Sequence, residues 1–203
     1  MSFQEPIHDV AQLASVELFT PEFEESLWFF HDVLGMTATE DDGKSCYLRA
    51  FEDPYHHSLK LTRAPHAGIG IIGWRASSPQ ALDRRVAAID ASDNPGKWVE
   101  NNTGYGRAYE FSTPSGQKQH LFWDVDYFKP TEEQKSKLLS RAQKRPLRGI
   151  PVRRIDHVNL LCKDVTRDSD FMMEKLGFRK RENVVLGGDE LASWLSVSAL
   201  VHE

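Results

Sequence analysis

The stretch RRIDHVNLLC (residues 153–162) contains the side chains of this chain that are best suited to chemistry. Its apolar and polar residues alternate, which predicts a β-strand. Successive side chains of a strand point to opposite faces, so Val158 and Leu160 share one face while His157 and Asn159 share the other. An imidazole and an amide on the same face suggest a polar concave surface. A structural histidine bonded to a neighbour fits the same pattern.

An earlier part of the chain is a second copy of this segment. Leu13–Met36 aligns with Ile155–Phe178 without a gap, and the apolar and glycine positions of the two copies match. The alignment places Ser15 at the position of His157. Because the repeat is built with a hydroxyl at this position, its fold does not require the imidazole. The comparison shifts the balance toward a functional role for His157.

The first copy predicts a strand, a helix and further strands. LASVELF (residues 13–19) alternates with the period of a strand, and Thr20-Pro21 provides an N-cap and a first-turn proline. Apolar residues then follow at helical spacing up to Gly35, which ends the helix. Two more strands are predicted at Ser45–Ala50 and Ser58–Thr62. The repeat is therefore a strand, a helix and about three strands.

A second, diverged copy occupies residues 67–125. Its first strand is predicted at Gly68–Arg75, and Ser78-Pro79 opens its helix. The Gly- and Asn-rich stretch SDNPGKWVENNTGYG is predicted to be a loop. A hairpin of Arg107–Ser112 and Gln119–Trp123, joined by a Pro-Ser-Gly turn, completes the unit.

A third copy begins after a connector. Residues 1–127 are predicted to form an N-terminal domain of two units, and residues 128–153 a connector with a short charged helix capped by Thr131. Residues 154–203 begin the third unit, with a helix opened by Asp164. The fold class is α+β, with tandem βαβββ units, two complete and one in part. Since half a domain would expose strand edges, a fragment or an unusual truncation is expected.

Composition excludes several functional classes. The chain has 203 residues and a formal net charge of −5, and it has no basic run, which disfavours nucleic-acid binding. Two cysteines provide neither a disulfide framework nor a zinc signature, which fits a reducing compartment. The N-terminus does not resemble a signal peptide, and no apolar run approaches the ~20 residues of a membrane span. We expect a cytoplasmic protein with no membrane partner.

The sequence resembles the extradiol ring-cleaving dioxygenases of the vicinal oxygen chelate superfamily, of the catechol 2,3-dioxygenase and homoprotocatechuate 2,3-dioxygenase type. The resemblance is carried by LGM and LGF after the two helices, by YLRAFEDPYHHSLKL, by the PSG hairpin and by IDHVNLLC. It implies the glyoxalase/bleomycin-resistance/dioxygenase fold. In that family the first two units form a domain without metal, and the third and fourth form the catalytic domain.

The resemblance implies a metal site of two histidines and one carboxylate that holds Fe(II), with Mn(II) as the alternative. His157 matches the first ligand, and the remaining His and Glu are expected beyond Glu203. His202, eight residues after Trp194, matches the family's acid–base histidine. Asn159 and Trp194 match residues that line the substrate pocket, although an ordinary core position is an equal alternative for Trp194. His202 loses its role if the chain truly ends at Glu203.

The equivalent positions of the first two units cannot form this triad. They hold Ser15, approximately Ile71, and His120, so the N-terminal half is expected to be free of metal, with His120 structural. His56 and His57 match a paired histidine of the family's first unit. Adjacent residues of a strand face opposite ways, so these two are expected to be structural or interfacial rather than parts of one site.

The implied reaction is cleavage of a catechol-type diol by O2, next to the diol, to a semialdehyde acid. A homo-oligomer is implied by the same resemblance. One alternative is a non-catalytic small-molecule-binding module of this fold. Another is a glyoxalase-type isomerase, which the connector and two-domain layout disfavour. Only the dioxygenase predicts a downstream His and Glu that complete the site with His157.

Overall fold

The computed structural model describes residues 8–197, which form two compact lobes. The first lobe comprises residues 14–72 and 125–155, and the second comprises the described residues of 1–13, 73–124 and 156–203. The strands and helices are β1 (Val10–Thr20), α1 (Phe23–Trp28), β2 (Thr37–Asp41), β3 (Ser45–Arg49), β4 (Leu59–Arg63), β5 (Gly68–Ala76), α2 (Pro79–Asp90), β6 (Lys97–Asn102), β7 (Gly106–Ser112), β8 (Lys118–Phe122), α3 (Val165–Leu176), β9 (Arg179–Leu186) and β10 (Asp189–Ser196). The first two repeats each have the order βαβββ, which confirms the predicted α+β class.

The first lobe is built on a four-stranded arrangement in the order β2-β3-β4-β1. β1 and β4 are parallel, with Leu18 opposite Leu61, and the other pairs are antiparallel. α1 continues into a π-helical turn (Phe29–Val33), so the helix predicted up to Gly35 changes its hydrogen bonding before its end. An apolar cluster forms the core: Phe23, Met36, Cys46, Leu48, Ala50, Leu59 and Leu61.

The second lobe contains the strand order β5-β8-β7-β6. Ser78 caps α2 by accepting a hydrogen bond from Ala81 N at 3.0 Å, and Pro79 occupies the first turn, as predicted. The segment predicted as a loop contains β6, which the sequence analysis missed. Most of its side chains are exposed, so no apolar alternation marks it, and Trp98 packs edge-on against Tyr109 at 5.3 Å.

The third repeat contributes α3 and the β9–β10 hairpin to the second lobe. Asp164 caps α3 by accepting from Arg167 N at 2.9 Å, as predicted, and Gly177 ends the helix at φ +79°. Phe171 packs against Phe111 with ring centroids 6.1 Å apart. These contacts place the third repeat in the same lobe as the second.

Two predicted elements are wrong. The connector helix is replaced by turns: Gln134 N and Lys135 N bond to Thr131 O, but the helix does not propagate. Its Leu138 and Leu139 are exposed, and a short helix without a packed apolar face is unstable.

The second wrong element is the strand predicted around His157, because no residue of 154–162 lies in a strand. In the described chain β9 and β10 pair with each other and leave this segment without a strand neighbour. Its alternation nevertheless persists, since Val158 and Leu160 are half-buried while His157 and Asn159 are exposed.

None of the helices in residues 8–197 is long and apolar enough to cross a bilayer.

Candidate functional site

A cavity of about 410 Å³ in the second lobe brings together three of the four predicted site residues, His157, Asn159 and Trp194. The fourth, His202, lies outside the described residues. His157 and Asn159 come from the non-strand segment before α3, and Trp194 comes from β10. The rest of the lining is mainly apolar and aromatic, and it includes Trp74, Thr113, Gln117, Gln119, Leu160, Cys162, Asp168, Met172, Phe178 and Leu195.

The imidazole of His157 is half-exposed and oriented by its neighbour in sequence. Its Nδ1 lies 3.1 Å from Asp156 Oδ2. A carboxylate at Nδ1 favours the tautomer with the proton on that nitrogen, which places the lone pair on Nε2. Ring nitrogens that bind metals are commonly prepared in this way. The local geometry therefore suits His157 to a ligand role.

Trp74 and Gln119 of the second repeat also line the cavity. Trp74 packs edge-on against Phe178 at 5.1 Å and donates its Nε1 hydrogen to Gln119 Oε1 at 2.5 Å. Burial raises the pKa of the Cys162 thiol, and the hydrogen-bonded Asp168 raises it further, so this sulfur stays neutral at physiological pH. Trp74 and Phe178 therefore present flat aromatic surfaces to a cavity that also contains a neutral thiol.

Sequence reasoning missed these second-repeat residues. Gln119 is fully buried on a strand, and a polar residue in such a position is the only signal in the sequence that marks it. Nothing in the sequence indicates that the turn before β8 of one repeat meets the helix of the next. The contact depends on packing between elements about 50 residues apart, such as Ser115 N to Asp168 Oδ1 at 2.9 Å.

The residues that the structure describes do not by themselves hold a metal ion. A site of the predicted type needs three donors, and no group of three or more His, Cys, Asp or Glu side chains with metal-binding geometry occurs among them. His157 supplies one such donor at the cavity, and Asp156 is engaged with its Nδ1. The His and Glu expected beyond Glu203 stay a prediction.

The equivalent positions of the first repeat are occupied very differently. The gapless alignment places Ser15 at His157 and Glu17 at Asn159, and both first-repeat residues are 7 % exposed. Glu17 accepts from Thr62 Oγ1 at 2.8 Å and pairs with Lys60 Nζ at 2.9 Å. Burial acts to lower the pKa of Lys60, but the hydrogen bond and the charge of Glu17 outweigh it and raise that pKa. This region is a closed polar network.

His56 and His57 lie near that network, and one expectation about them is wrong. They precede β4 rather than belonging to it, so their rings do not face opposite ways and instead approach each other, with Nδ1 to Nδ1 at 3.2 Å. His57 is buried edge-on against Tyr47 at 5.0 Å. Burial, followed by the charges of His56 and Lys60, lowers the pKa of His57 to about 3. A neutral, enclosed imidazole fits a structural role.

His120 also makes contacts that fit a structural role. It is 2 % exposed, and its Nδ1 lies 3.0 Å from Tyr105 Oη. Its Nε2 lies 3.3 Å from Glu110 Oε2, and Glu110 also pairs with Lys97. Both ring nitrogens are thus engaged inside the second lobe.

Comparison with known proteins gives this geometry a context. The profile of the Glyoxalase/Bleomycin resistance protein/Dioxygenase superfamily matches residues 12–121. The chain is 53 % identical over its whole length to a metapyrocatechase of Geobacillus stearothermophilus. It is 33 % identical over 96 % of its length to a manganese-dependent 2,3-dihydroxybiphenyl 1,2-dioxygenase of Geobacillus genomosp. 3. The chain spans 62 % of the length of each of these relatives.

A solved structure gives the corresponding structural comparison. A variant of homoprotocatechuate 2,3-dioxygenase from Brevibacterium fuscum superposes with a TM-score of 0.80 at 25 % identity. The superposition covers 98 % of this chain and 55 % of that one.

Proposed function

Because this chain belongs to the glyoxalase/bleomycin resistance protein/dioxygenase superfamily, we propose that it forms part of an extradiol dioxygenase that opens a catechol-type ring with O2. The observation that carries the proposal is the identity to a metapyrocatechase, which extends through the segment with His157 and through Trp194. The convergence of His157, Asn159 and Trp194 on one cavity supports it independently. The product would be a semialdehyde acid that retains both atoms of O2.

His157 is the proposed metal ligand of this chain. The contact between its Nδ1 and Asp156 leaves Nε2 with the geometry of a neutral donor. A histidine and a glutamate from residues beyond Glu203 would complete the site, as the family resemblance implies. The metal is Fe(II) in this proposal and Mn(II) in its variant, which the name of the manganese-dependent relative supports.

The other predicted residues would bind and protonate the substrate. Asn159 and Trp194 line the same cavity as His157, so an amide and an indole are available to orient a planar diol. His202 is the proposed acid–base group, because an unperturbed imidazole titrates near working pH. A homo-oligomer is part of the same proposal.

The test is an activity assay of the longer protein that includes the residues encoded after Glu203. It is reconstituted without oxygen with Fe(II), or separately with Mn(II), and then mixed with catechol and O2. We expect one O2 consumed per catechol and a product heavier by two oxygen atoms. The 203-residue chain, treated identically, is the control and should bind less than one metal per chain. Stoichiometric metal and bound catechol without O2 consumption would instead support the small-molecule-binding alternative.

A further inference from the structure

The segment with His157 and Asn159 is held by side chains rather than by a β-ladder. No residue of 154–162 belongs to a strand, so the fixed position of the segment needs another source. In the second lobe two hydrogen bonds meet its C-terminal end. Gln117 Nε2 donates to Leu161 O at 2.8 Å, and Lys163 N donates to Ser115 Oγ at 3.2 Å. Both partners belong to the turn between β7 and β8.

This turn is itself rigidly organised. Gly116 has φ +92°, a conformation that favours glycine, and its N donates to Thr113 O at 2.8 Å. Thr113 N donates to Gln117 O at 3.0 Å, which closes the turn. The Thr113 hydroxyl also donates to Gln117 Oε1. Because Oε1 is fixed in this way, the amide hydrogens of Gln117 point toward Leu161.

The same turn also fixes the start of α3. Ser115 N donates to Asp168 Oδ1 at 2.9 Å, and Asp168 lies in the first turn of that helix. A hydrogen bond to a carboxylate is stronger than a neutral one. Ser115 and Gln117 of the turn therefore make three hydrogen bonds to the stretch of residues 161–168. His157 and Asn159 lie four and two residues before the first of these bonds.

We infer that Gln117 and Ser115 are positioning residues for His157 and Asn159. The second repeat, which lacks the metal ligand, would thus set the location of the ligand carried by the third. A backbone without ladder bonds moves easily, and a catalytic group must be held within about 0.5 Å of its working geometry. The consequence for catalysis rests on the proposed function, whereas the positioning itself does not.

The positioning can be tested by NMR on the 203-residue chain without metal or substrate. Gln117→Met removes the donor to Leu161 O at similar length, and Ser115→Ala removes the acceptor for Lys163 N. We expect Ser115→Ala to speed hydrogen exchange of the Lys163 amide about five-fold, which corresponds to about 1 kcal/mol for one hydrogen bond. Gln117→Met should shift the ring Cε1–H resonance of His157. Exchange in α2 should stay unchanged in both variants.

Lys118→Met is the matched control, because it places the same side chain on the next, exposed residue. It should leave the His157 resonance and the Lys163 amide as they are. The inference is overturned if both variants of the turn melt as the parent does and leave the His157 resonance and Lys163 exchange unchanged. These measurements do not involve metal or catechol, so they stand or fall separately from the proposed dioxygenase activity.

Discussion

The first and third repeats place different side chains at the same two positions, with opposite results. Ser15 and Glu17 of the first repeat are buried, and Glu17 is satisfied by Lys60 and Thr62. His157 and Asn159 of the third repeat are exposed and line a cavity. A buried polar group is tolerated when the protein supplies its partners. The two copies therefore use this pair of positions either for the protein's own stability or, in our proposal, for a ligand, although the positions lie in a strand only in the first copy.

The largest expected effect is a loss of metal when His157→Ala is made in the reconstituted protein that includes the residues after Glu203. Removing a residue that merely orients a ligand costs about 10–100-fold in metal affinity or activity, so removing the ligand should cost more than ~100-fold. Metal analysis and O2 uptake should fall together. Ser15→Ala, the same change at the equivalent position of the first repeat, should retain both. A full complement of metal in His157→Ala would remove His157 from the site.

The same contrast predicts that substitutions affect the free energy of unfolding more in the first repeat than in the third. Lys60→Met leaves the buried carboxylate of Glu17 without its cation. Breaking a buried pair costs about 3–5 kcal/mol, and the partial exposure of Lys60 reduces this to about 2–3 kcal/mol. Asn159→Ala, at the position equivalent to Glu17, should change the free energy of unfolding by less than about 0.5 kcal/mol. Denaturant unfolding measures both, and equal effects would contradict the contrast between the two repeats.

A third prediction concerns the space around Glu17. A Cβ at Gly70 would lie 2.4 Å from Glu17 Oε2, whereas a Cβ at Gly68 would meet nothing nearer than Phe19 at 3.8 Å. Gly70→Ala should therefore cost about 1–2 kcal/mol, at the lower end for overpacking because a side chain rather than backbone must move. Gly68→Ala, on the same strand, should be close to neutral in the same unfolding experiment. A neutral Gly70→Ala would mean that the carboxylate of Glu17 is not held in place.

The repeats were predictable because their signals are local. Ser78-Pro79 and Asp164 mark helix starts in the sequence, and the structure confirms both caps. The β6 strand was missed because its position at the edge of the sheet comes with exposed side chains and no apolar period. The predicted connector helix does not form, although its residues favour a helix. Such residues form a helix in a protein only where one face is packed, and Leu139 is fully exposed.

Only the part of the candidate site in residues 153–162 was predictable, because only this segment has a recognisable pattern in the sequence. The alternation in 153–162 placed His157 and Asn159 on one face, although the strand itself is absent. Trp74, Gln119 and the turn residue Gln117 reach the same cavity through packing between repeats. No spacing along the chain encodes that packing. The contacts of His57 were likewise hidden, because they depend on a non-strand conformation before β4.

The smallest expected effect is a pH dependence of the free energy of unfolding that comes from His57 and not from His157. His57 has a pKa lowered to about 3 by burial, then by the charges of His56 and Lys60, while an unfolded histidine titrates near 6.5. Below about pH 6.5 the unfolded chain therefore binds a proton that the folded chain does not. Folding stability from this group is present above the unfolded pKa and is lost as the pH falls toward 3. Between pH 6.5 and 5.5 the loss is about 1 kcal/mol.

Carboxylates also titrate as the pH falls, so the measurement compares variants rather than a single curve. The free energy of unfolding is followed from pH 7.5 to 5.5 for the parent, His57→Gln and His157→Gln. The loss should become about 1 kcal/mol smaller in His57→Gln, since the residue that cannot accept a proton inside the fold is gone. His157→Gln is the matched control, because it makes the same change at a half-exposed imidazole. Parallel curves for all three proteins would show that His57 is accessible to protons in the folded chain, and the contrast between a closed first repeat and an open third repeat would then fail at this residue.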